Sequence, residues 1–154
     1  MFFLKTKNLK LKTDNGFTLL EVLLSISIIS IVFGFSVPIY YSFQVRNDLD
    51  VARFALIQNL HRAQSLSQMG EGDSSWGVYI ASDKITLFKG SSFATRDINF
   101  DEDFSISSSG ISGLQEIIFN KFNGLPQMTG TTTITSTTNE TKQIAINEKG
   151  TISY

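Results

Sequence analysis

The longest apolar stretch of the chain lies close to its N-terminus and predicts a helix that crosses a membrane. From Phe17 to Phe43, 18 of 27 residues are apolar or aromatic, and Glu21 carries the only charged side chain among them. A helix needs about 20 such residues to span a bilayer. The stretch is also longer than the roughly 7–15 residues typical of the apolar part of a secretory signal. We therefore expect a transmembrane helix over residues 17–43.

A second apolar pattern follows directly and predicts that the helix continues as an amphipathic segment over residues 44–70. Its apolar positions recur at helical spacing and form one stripe: Val45, Leu49, Ala52, Leu56, Leu60, Ala63 and Leu66. A stripe of this kind packs on a globular domain. Gly70 and Gly72 are suited to the end of a helix, because glycine accepts the left-handed conformation found there. The helix is expected to stop near Met69.

The face opposite this stripe carries Phe54, Ile57 and His61. An exposed apolar cluster often marks an interface, so we interpret these residues as candidate contacts with another subunit. The alternative is that the C-terminal domain covers them. His61 is the only histidine and the chain has no cysteine, which leaves no second ligand for a metal site built on these residue types.

After Gly72 the pattern changes to short runs of strand-forming residues separated by Gly, Ser, Asn and Asp, which predicts a β-rich domain over residues 71–154. The expected strands are Trp76–Ala81, Lys84–Lys89, Asp97–Phe100, Phe104–Ser107, Glu116–Lys121, Thr131–Thr137, Lys142–Asn147 and Thr151–Tyr154. Ser82 and Asp83 would form the first hairpin turn. The acidic run 101–103 is interpreted as a solvated turn, with a calcium ligand as the alternative. The expected fold is α+β, a long N-terminal helix followed by an antiparallel β-sandwich or curved sheet.

Charge is distributed unevenly over the 154 residues. The chain has 13 basic and 14 acidic residues, for a net charge of −1. Four lysines oppose one aspartate before residue 17, which gives +3, and the rest of the chain carries 9 − 13 = −4. Basic residues ahead of an apolar span stay on the cytoplasmic side, so the domain after the span is expected outside the cytoplasm. A mature charge of −4 disfavours nucleic acid as a partner.

The composition also argues against catalysis. With no cysteine and one histidine, the chain lacks disulfides, thiolate ligands and a base for a hydrolytic triad. We therefore expect no enzyme activity, catalytic residue, cofactor, metal site or small-molecule substrate.

Glu21 is unusual because a carboxylate inside an apolar span needs a partner. Cleavage between Gly16 and Phe17 would create one, since the new α-amino group would be largely cationic at neutral pH. Glu21 would then lie one helical turn from that charge. It could pair with its own amine or with the amine of a neighbouring chain, and both arrangements stay open.

Gly34 and Pro38 predict an irregularity within the first half of the helix. Proline cannot donate a hydrogen bond to the carbonyl four residues earlier, which belongs to Gly34, and its ring crowds that carbonyl. We expect a kink or local melting over residues 34–38. It would serve either as a simple bend near the membrane surface or as a functional hinge.

The run Gly16-Phe17-Thr18-Leu19-Leu20-Glu21 closely resembles the cleavage and methylation motif of type IV prepilins and type II secretion pseudopilins. The Lys-rich leader, the acid five residues after the Gly-Phe junction and the proline at the twenty-second position agree with it. The resemblance implies that a prepilin peptidase removes residues 1–16 and methylates the amine of Phe17. It associates Glu21 with methylation and with pairing to a neighbour's N-terminus in a filament.

The β-rich region resembles the GspH/FimT branch of that family, through Trp76-Gly77-Val78-Tyr79, Ile117-Ile118-Phe119 and Gln143-Ile144-Ala145-Ile146. The resemblance implies a minor pseudopilin or minor pilin in the inner membrane, with the peptidase and other pilins as partners. It would be assembled into a type II secretion pseudopilus or a type IV pilus. The alternatives are a DNA-receptor minor pilin and a plain membrane-anchored ectodomain.

Overall fold

The structure is a computed structural model that describes residues 16–107 and 110–154. The predicted leader therefore lies outside the described residues except for Gly16. The chain divides into two compact units, one that ends at Ile39 and one over Tyr40–Tyr154. The described part of the first unit consists of residues 16–18 and the beginning of a helix. The second contains the rest of that helix and all the strands.

Helix α1 runs over Leu19–Met69 and has 51 residues. The helix is continuous across Gly34 and Pro38, so of the two expected irregularities local melting is not seen and the kink stays a prediction. The helix ends where the glycines predict, because Gly70 adopts the left-handed conformation at φ 68°. One turn of 3-10 helix, Glu71–Asp73, then leads into the first strand.

Within the described residues, eight strands form two four-stranded antiparallel sheets, which confirms the α+β fold class. The strands are β1 Trp76–Ile80, β2 Lys84–Lys89, β3 Asp97–Ser105, β4 Gly110–Gly113, β5 Glu116–Phe119, β6 Gly130–Thr135, β7 Thr141–Ile146 and β8 Ile152–Ser153. The first sheet has the order β3-β2-β1-β5, and the second has the order β4-β6-β7-β8. The predicted first hairpin is confirmed, since Ala81 N–H donates to the Lys84 carbonyl at 2.8 Å.

Two parts of the predicted strand pattern were wrong. The segments expected as two strands around an acidic turn form the single nine-residue strand β3, in which Asp103 pairs with Thr86 and Glu102 with Leu87. Strand β4 was not predicted, because its Gly-Ile-Ser-Gly sequence has a weak strand preference. Its pairing with β6 places Ile111 opposite Ile134 and packs Ile111 against the core, so tertiary contacts decide its conformation.

The stripe on the second half of α1 forms the centre of the core. Leu49, Ala52, Leu56, Leu60 and Ala63 are completely buried. They belong to one hydrophobic cluster with residues of both sheets, among them Val78, Ile117, Phe119, Ile134 and Ile144. The amphipathic pattern of this segment is therefore confirmed. Because one helix face is shared by both sheets, each sheet buries its inner face against the same element.

Ser67 joins the last turn of α1 to the first sheet. Its hydroxyl is fully buried, accepts from the Trp76 N–H at 2.9 Å and donates to the Phe119 carbonyl at 3.0 Å. The Ser67 carbonyl accepts from the Phe122 N–H at 2.7 Å. A buried hydroxyl with both roles satisfied fixes the register of the helix against β1 and β5.

Ion pairs hold α1 at both flanks. Arg46 pairs with Glu140 at 2.9 Å and Asp50 pairs with Lys142 at 3.1 Å, both toward the second sheet. On the other flank, Arg62 makes a bidentate pair with Glu102 of β3 at 2.6 and 2.5 Å. All three pairs are partly exposed, so each adds little stability but restricts rotation of the helix on the sheets.

The surface of the first sheet that points away from α1 has its own apolar packing. The Phe93 ring stacks on Tyr79 with centroids 3.9 Å apart and meets the edge of Phe88 at 5.5 Å. Gly77 lies beneath Phe88, and a Cβ at Gly77 would come within 2.6 Å of that ring and 2.9 Å of the Ile117 carbonyl oxygen. Only glycine therefore allows this approach.

We predict that Gly77→Ala lowers the free energy of unfolding of the fragment Tyr40–Tyr154 by about 1–3 kcal/mol, because the added methyl group overpacks the sheet. Denaturant unfolding followed by circular dichroism measures this change. Gly110→Ala is the matched control, since no atom lies within 4 Å of a Cβ at Gly110. Equal stability of the two variants would contradict the packing argument.

Candidate functional site

The chain enters α1 through an exposed segment. Gly16, Phe17 and Thr18 precede the helix, and Phe17 is 81% exposed. No atom lies within 4 Å of the position that a Cβ on Gly16 would occupy. A protease needs an open, non-helical segment at the bond that it cuts. The junction between Gly16 and Phe17 meets both conditions in the described structure.

Thr18 caps the helix, a role that was not predicted. Its side-chain oxygen accepts from the Glu21 N–H at 3.3 Å, and its carbonyl accepts from the Val22 N–H at 3.2 Å. Threonine followed three residues later by glutamate is the sequence signature of a capped helix start, and this signal was available. Thr18 therefore places Glu21 in the first helical turn.

The Glu21 side chain is exposed, and none of the hydrogen bonds or ion pairs found among the described residues involves its carboxylate. Its place in the first turn of α1 is favourable, because the unpaired N–H groups there carry partial positive charge. The carboxylate is available to a cation outside the described residues. Its pairing with an N-terminal amine stays a prediction.

Four serines in the apolar half of the helix satisfy their own hydroxyl groups. Ser25, Ser27, Ser30 and Ser36 each donate to the carbonyl four residues earlier, at 2.7–2.8 Å. A hydroxyl bonded in this way presents no unpaired donor to a hydrocarbon environment. These serines are therefore compatible with a membrane and still provide small residues for close helix packing.

The apolar half of α1 is exposed along its described length. The large side chains between Phe17 and Phe43 whose exposure is described range from 45% to 81% exposed. An 18-residue window has a mean hydropathy of 2.4, and none of it is buried. The helix is long and apolar enough to cross a membrane. A surface of this size and composition requires lipid or other protein chains to cover it.

The second half of α1 also leaves one stripe exposed, which we call the outer face. It consists of Asn47, Val51, Phe54, Gln58, His61 and Ser65. Phe54 and Val51 are 55% and 54% exposed, so the prediction that Phe54 and His61 point outward is confirmed. The placement of Ile57 was wrong. Ile57 is only 7% exposed and belongs to the core, because the two sheets enclose a wider arc of the helix than the predicted stripe.

Most arginines and lysines of the second unit are engaged within the chain. Six form ion pairs: Arg46, Arg62, Lys84, Arg96, Lys121 and Lys142. Arg53 and Lys89 lie over aromatic rings, at 4.9 Å from the Tyr154 centroid and 4.3 Å from the Phe100 centroid. A nucleic-acid surface needs clustered cations that can reach phosphates. Because these eight cations are already engaged within the chain, the structure does not favour a nucleic-acid-binding role.

The acidic run 101–103 is spread over two faces of a strand. Asp101 pairs with Arg96 at 2.7 Å, Glu102 pairs with Arg62, and Asp103 pairs with Lys84 at 2.9 Å. Alternation along β3 directs Glu102 away from its two neighbours. The solvated turn that we expected is therefore a strand with three ion pairs. No group of three metal-binding side chains occurs within residues 16–107 and 110–154.

Asp103 has a lowered pKa. The first cause is a hydrogen bond from the Thr86 hydroxyl at 2.5 Å, and the second is the ammonium group of Lys84. The hydrogen bond between Lys84 and Asp103 also raises the pKa of Lys84. Both shifts stabilise the charged forms, so this ion pair stabilises the pairing of β2 with β3.

Comparison with known proteins identifies one feature of the chain. Residues 11–37 match the model of the family described as the prokaryotic N-terminal methylation motif. No curated protein and no solved structure matches the chain. The matched segment contains the open junction, the helix cap and Glu21.

The motif supports membership of the type IV pilin and pseudopilin family and indicates a type IV pilin-like protein. Proteins with this motif are structural rather than catalytic. The motif and the apolar helix are consistent with membrane anchoring and with pilus assembly. The long helix followed by antiparallel sheets is the α+β arrangement of a pilin-like protein.

We predict that the stability of the fragment Tyr40–Tyr154 falls in acid partly through Asp103. Its folded pKa lies below its unfolded pKa, so its contribution is present above the unfolded value and is lost as the pH falls through the folded one. Asp103→Asn should remove about 0.5 kcal/mol at pH 7 and flatten the decline below pH 4. Denaturant unfolding at several pH values measures both effects. The control is Glu148→Gln, and a decline in Asp103→Asn as steep as in that control would refute this assignment.

Proposed function

We propose that this chain is a minor pseudopilin or minor pilin of the GspH/FimT-like branch. It acts as a structural subunit of a type II secretion pseudopilus or a type IV pilus and has no enzyme activity. The observation that carries the proposal is the methylation-motif match over residues 11–37. It coincides with an open Gly16-Phe17 junction and with an apolar helix that no part of the described chain covers.

Processing occurs first in this proposal. A prepilin peptidase cuts between Gly16 and Phe17 and removes the leader, residues 1–16. The amine of Phe17 is then methylated and keeps its positive charge. Glu21, held in the first helical turn by the Thr18 cap, pairs with such an amine during assembly. The pairing is favourable because both groups would otherwise remain unpaired in an apolar environment.

Each segment of the chain after the leader has a different role. Residues 17–43 anchor the subunit in the inner membrane and later pack into the filament core, with the Gly34–Pro38 kink as a hinge. Residues 44–70 attach that helix to the β-rich domain, residues 71–154, which lies outside the cytoplasm. The net basic leader supports this orientation.

Lateral contacts between subunits use the outer face of α1. Phe54 and Val51 supply exposed apolar area, and His61 and Gln58 supply polar groups at its edge. Other pilins are therefore the partners of this face. Exposed apolar residues among neutral polar ones are typical of interfaces between subunits.

We predict that Gly16→Leu leaves the leader attached. Glycine has no side chain, so a peptidase subsite shaped for it can approach the backbone closely, and leucine would be excluded. Intact-mass measurement of the membrane-extracted protein distinguishes the two forms. Thr13→Leu, a change within the leader but away from the junction, should be cut normally. An N-terminal Phe17 in Gly16→Leu would exclude this processing site.

We predict that Glu21→Ala inserts into the membrane normally but enters filaments at least about tenfold less, because an N-terminal amine loses its partner in an apolar environment. The measurement compares the amount of protein in sheared filaments with that in membranes. Ser27→Ala lies in the same apolar half and removes a hydroxyl that is satisfied within the helix, so it should assemble normally. Undiminished assembly of Glu21→Ala would rule out the proposed role.

A further inference from the structure

Residues 22–39 form a charge-free core within the apolar half of α1. They contain no charged, tyrosine or tryptophan residue, whereas Glu21 stands directly before them and Tyr40 directly after them. The core has 39 − 21 = 18 residues, which gives about 27 Å at 1.5 Å per residue. The hydrocarbon layer of a bilayer is about 30 Å thick. The charge-free core is therefore almost as long as that layer is thick.

Two neighbouring tyrosines, Tyr40 and Tyr41, begin the second unit. Tyr40 is 71% exposed and Tyr41 is 56% exposed. None of the hydrogen bonds or ring contacts found among the described residues involves either phenol group. Successive residues of a helix point in directions about 100° apart, so the two rings cover adjacent sides of α1. Both rings and both hydroxyl groups are available to a partner outside the described chain.

The β-rich domain begins to cover α1 just after these tyrosines. Val45 is the first buried residue of the second unit, and the next residue, Arg46, pairs with Glu140 at 2.9 Å. Residues 40–44 are exposed and uncharged. They extend over about 7 Å of helix. The headgroup layer on each side of the hydrocarbon is about 5–7 Å thick, so this segment is long enough to cross one such layer.

The residues at the two ends of the charge-free core suit the edges of a bilayer. Tyrosine is enriched where hydrocarbon meets the headgroups, because its ring is apolar and its hydroxyl group needs water or a polar partner. A carboxylate costs much less at the edge of the hydrocarbon than at its centre. Tyr40 and Tyr41 at one end, and Glu21 at the other, each place a polar group where headgroups and water can reach it.

We infer that Tyr40 and Tyr41 contact phospholipid headgroups in the outer layer of the membrane, while Glu21 lies at the inner headgroup layer. The part of residues 17–43 inside the hydrocarbon is then residues 22–39. This inference rests on the membrane anchoring in the proposed function. It adds phospholipid as the partner of the tyrosine pair and fixes the depth of the helix.

This depth determines when Glu21 needs a protein partner. In the membrane, headgroups and water solvate its carboxylate, so insertion requires no ion pair. When the helix leaves the bilayer for a filament core, that solvation is lost and an N-terminal amine has to replace it. The same residue is therefore tolerated before assembly and needs pairing during it.

The first experiment measures depth in vesicles that contain no other protein. The full chain is reconstituted into phosphatidylcholine brominated either near the headgroup or near the middle of the bilayer. Tyr41→Trp and Leu20→Trp should be quenched at least about twofold more by the shallow bromines, and Ile31→Trp by the deep ones. The unmodified chain, whose only tryptophan is Trp76, gives the background.

Two results would overturn the lipid contact. Stronger quenching of Tyr41→Trp by the deep bromines would place the tyrosine pair inside the hydrocarbon. Quenching of Tyr41→Trp by neither lipid, with Ile31→Trp still quenched, would show that phospholipid does not cover the pair and would leave it to another protein.

The second experiment locates the same boundary in cells of a bacterial host that produces no pilins. The chain has no native cysteine, so Phe35→Cys, Ser42→Cys and Asn47→Cys can each be labelled with a membrane-impermeant maleimide. A thiol needs water to ionise and react. Ser42→Cys should therefore react within about tenfold of Asn47→Cys, and Phe35→Cys at least about a hundredfold more slowly. A Ser42→Cys thiol as unreactive as that of Phe35→Cys would refute the inferred boundary.

Failure of this inference can be distinguished from failure of the proposed function. Leader cleavage and entry into filaments are measured on the unmodified chain in cells that assemble filaments. Normal cleavage and assembly with a deep Tyr41→Trp would overturn the lipid contact and leave the proposed function standing. Shallow reporters in a chain that is never cleaved would overturn the proposed function and leave the lipid contact. A chain that binds no membrane would overturn both.

Discussion

The structure depends on the burial of one face of the second half of α1. Leu49, Leu56 and Leu60 are removed from water by two sheets at once. Each four-stranded sheet is too small to bury an apolar face alone, because a stable sheet needs another layer against it. The helix is that layer for both. The positions of the strands, the flanking ion pairs and the buried Ser67 all follow from this shared face.

The same helix has to satisfy a second requirement in its first half, where nothing in the described chain covers its apolar residues. One continuous backbone meets both needs, because all its internal hydrogen bonds are made within the helix whatever surrounds it. Back-bonded serines keep polar groups satisfied there, and Thr18 provides the capping bond at the helix start. Glu21 is the one charged residue in that segment, and no described residue forms an ion pair with it.

The parts of the fold that depend on local periodicity could be predicted from sequence. The buried stripe of α1, its end at Gly70 and the first hairpin each arise from spacing or from a turn residue. Ile57 could not be placed, since its burial depends on how far two sheets curve around the helix. Strand β4 has no local preference and forms because β6 offers it a partner. The acidic residues of β3 appear solvated by composition and become strand residues once three cations neutralise them.

The candidate site likewise contains residues that a local sequence motif could predict and residues that it could not. Gly16, Phe17 and Glu21 form a local motif, so one sequence was enough to find them, and Thr18 could have been added by the spacing of a capped helix. The placement of the Phe122 ring and the cavity lined by Val45, Asp48 and Asp83 could not be found in this way, because each is assembled from segments distant in the chain. Phe122 is exposed and has a positive φ, and this conformation depends on Ser67 and Gly70, more than 50 residues earlier.

Ion pairing within the chain limits which groups the surface can bind. Most cations of the second unit are paired within the chain, so the surfaces left for recognition are apolar or carry carboxylates without an ion-pair partner in the described structure. Glu21 and Asp48 are two such groups, one on each half of the helix. A chain with this distribution of charge is suited to bind the amine and ammonium groups of other chains. The pairing of Glu21 with an N-terminal amine that we propose uses this property.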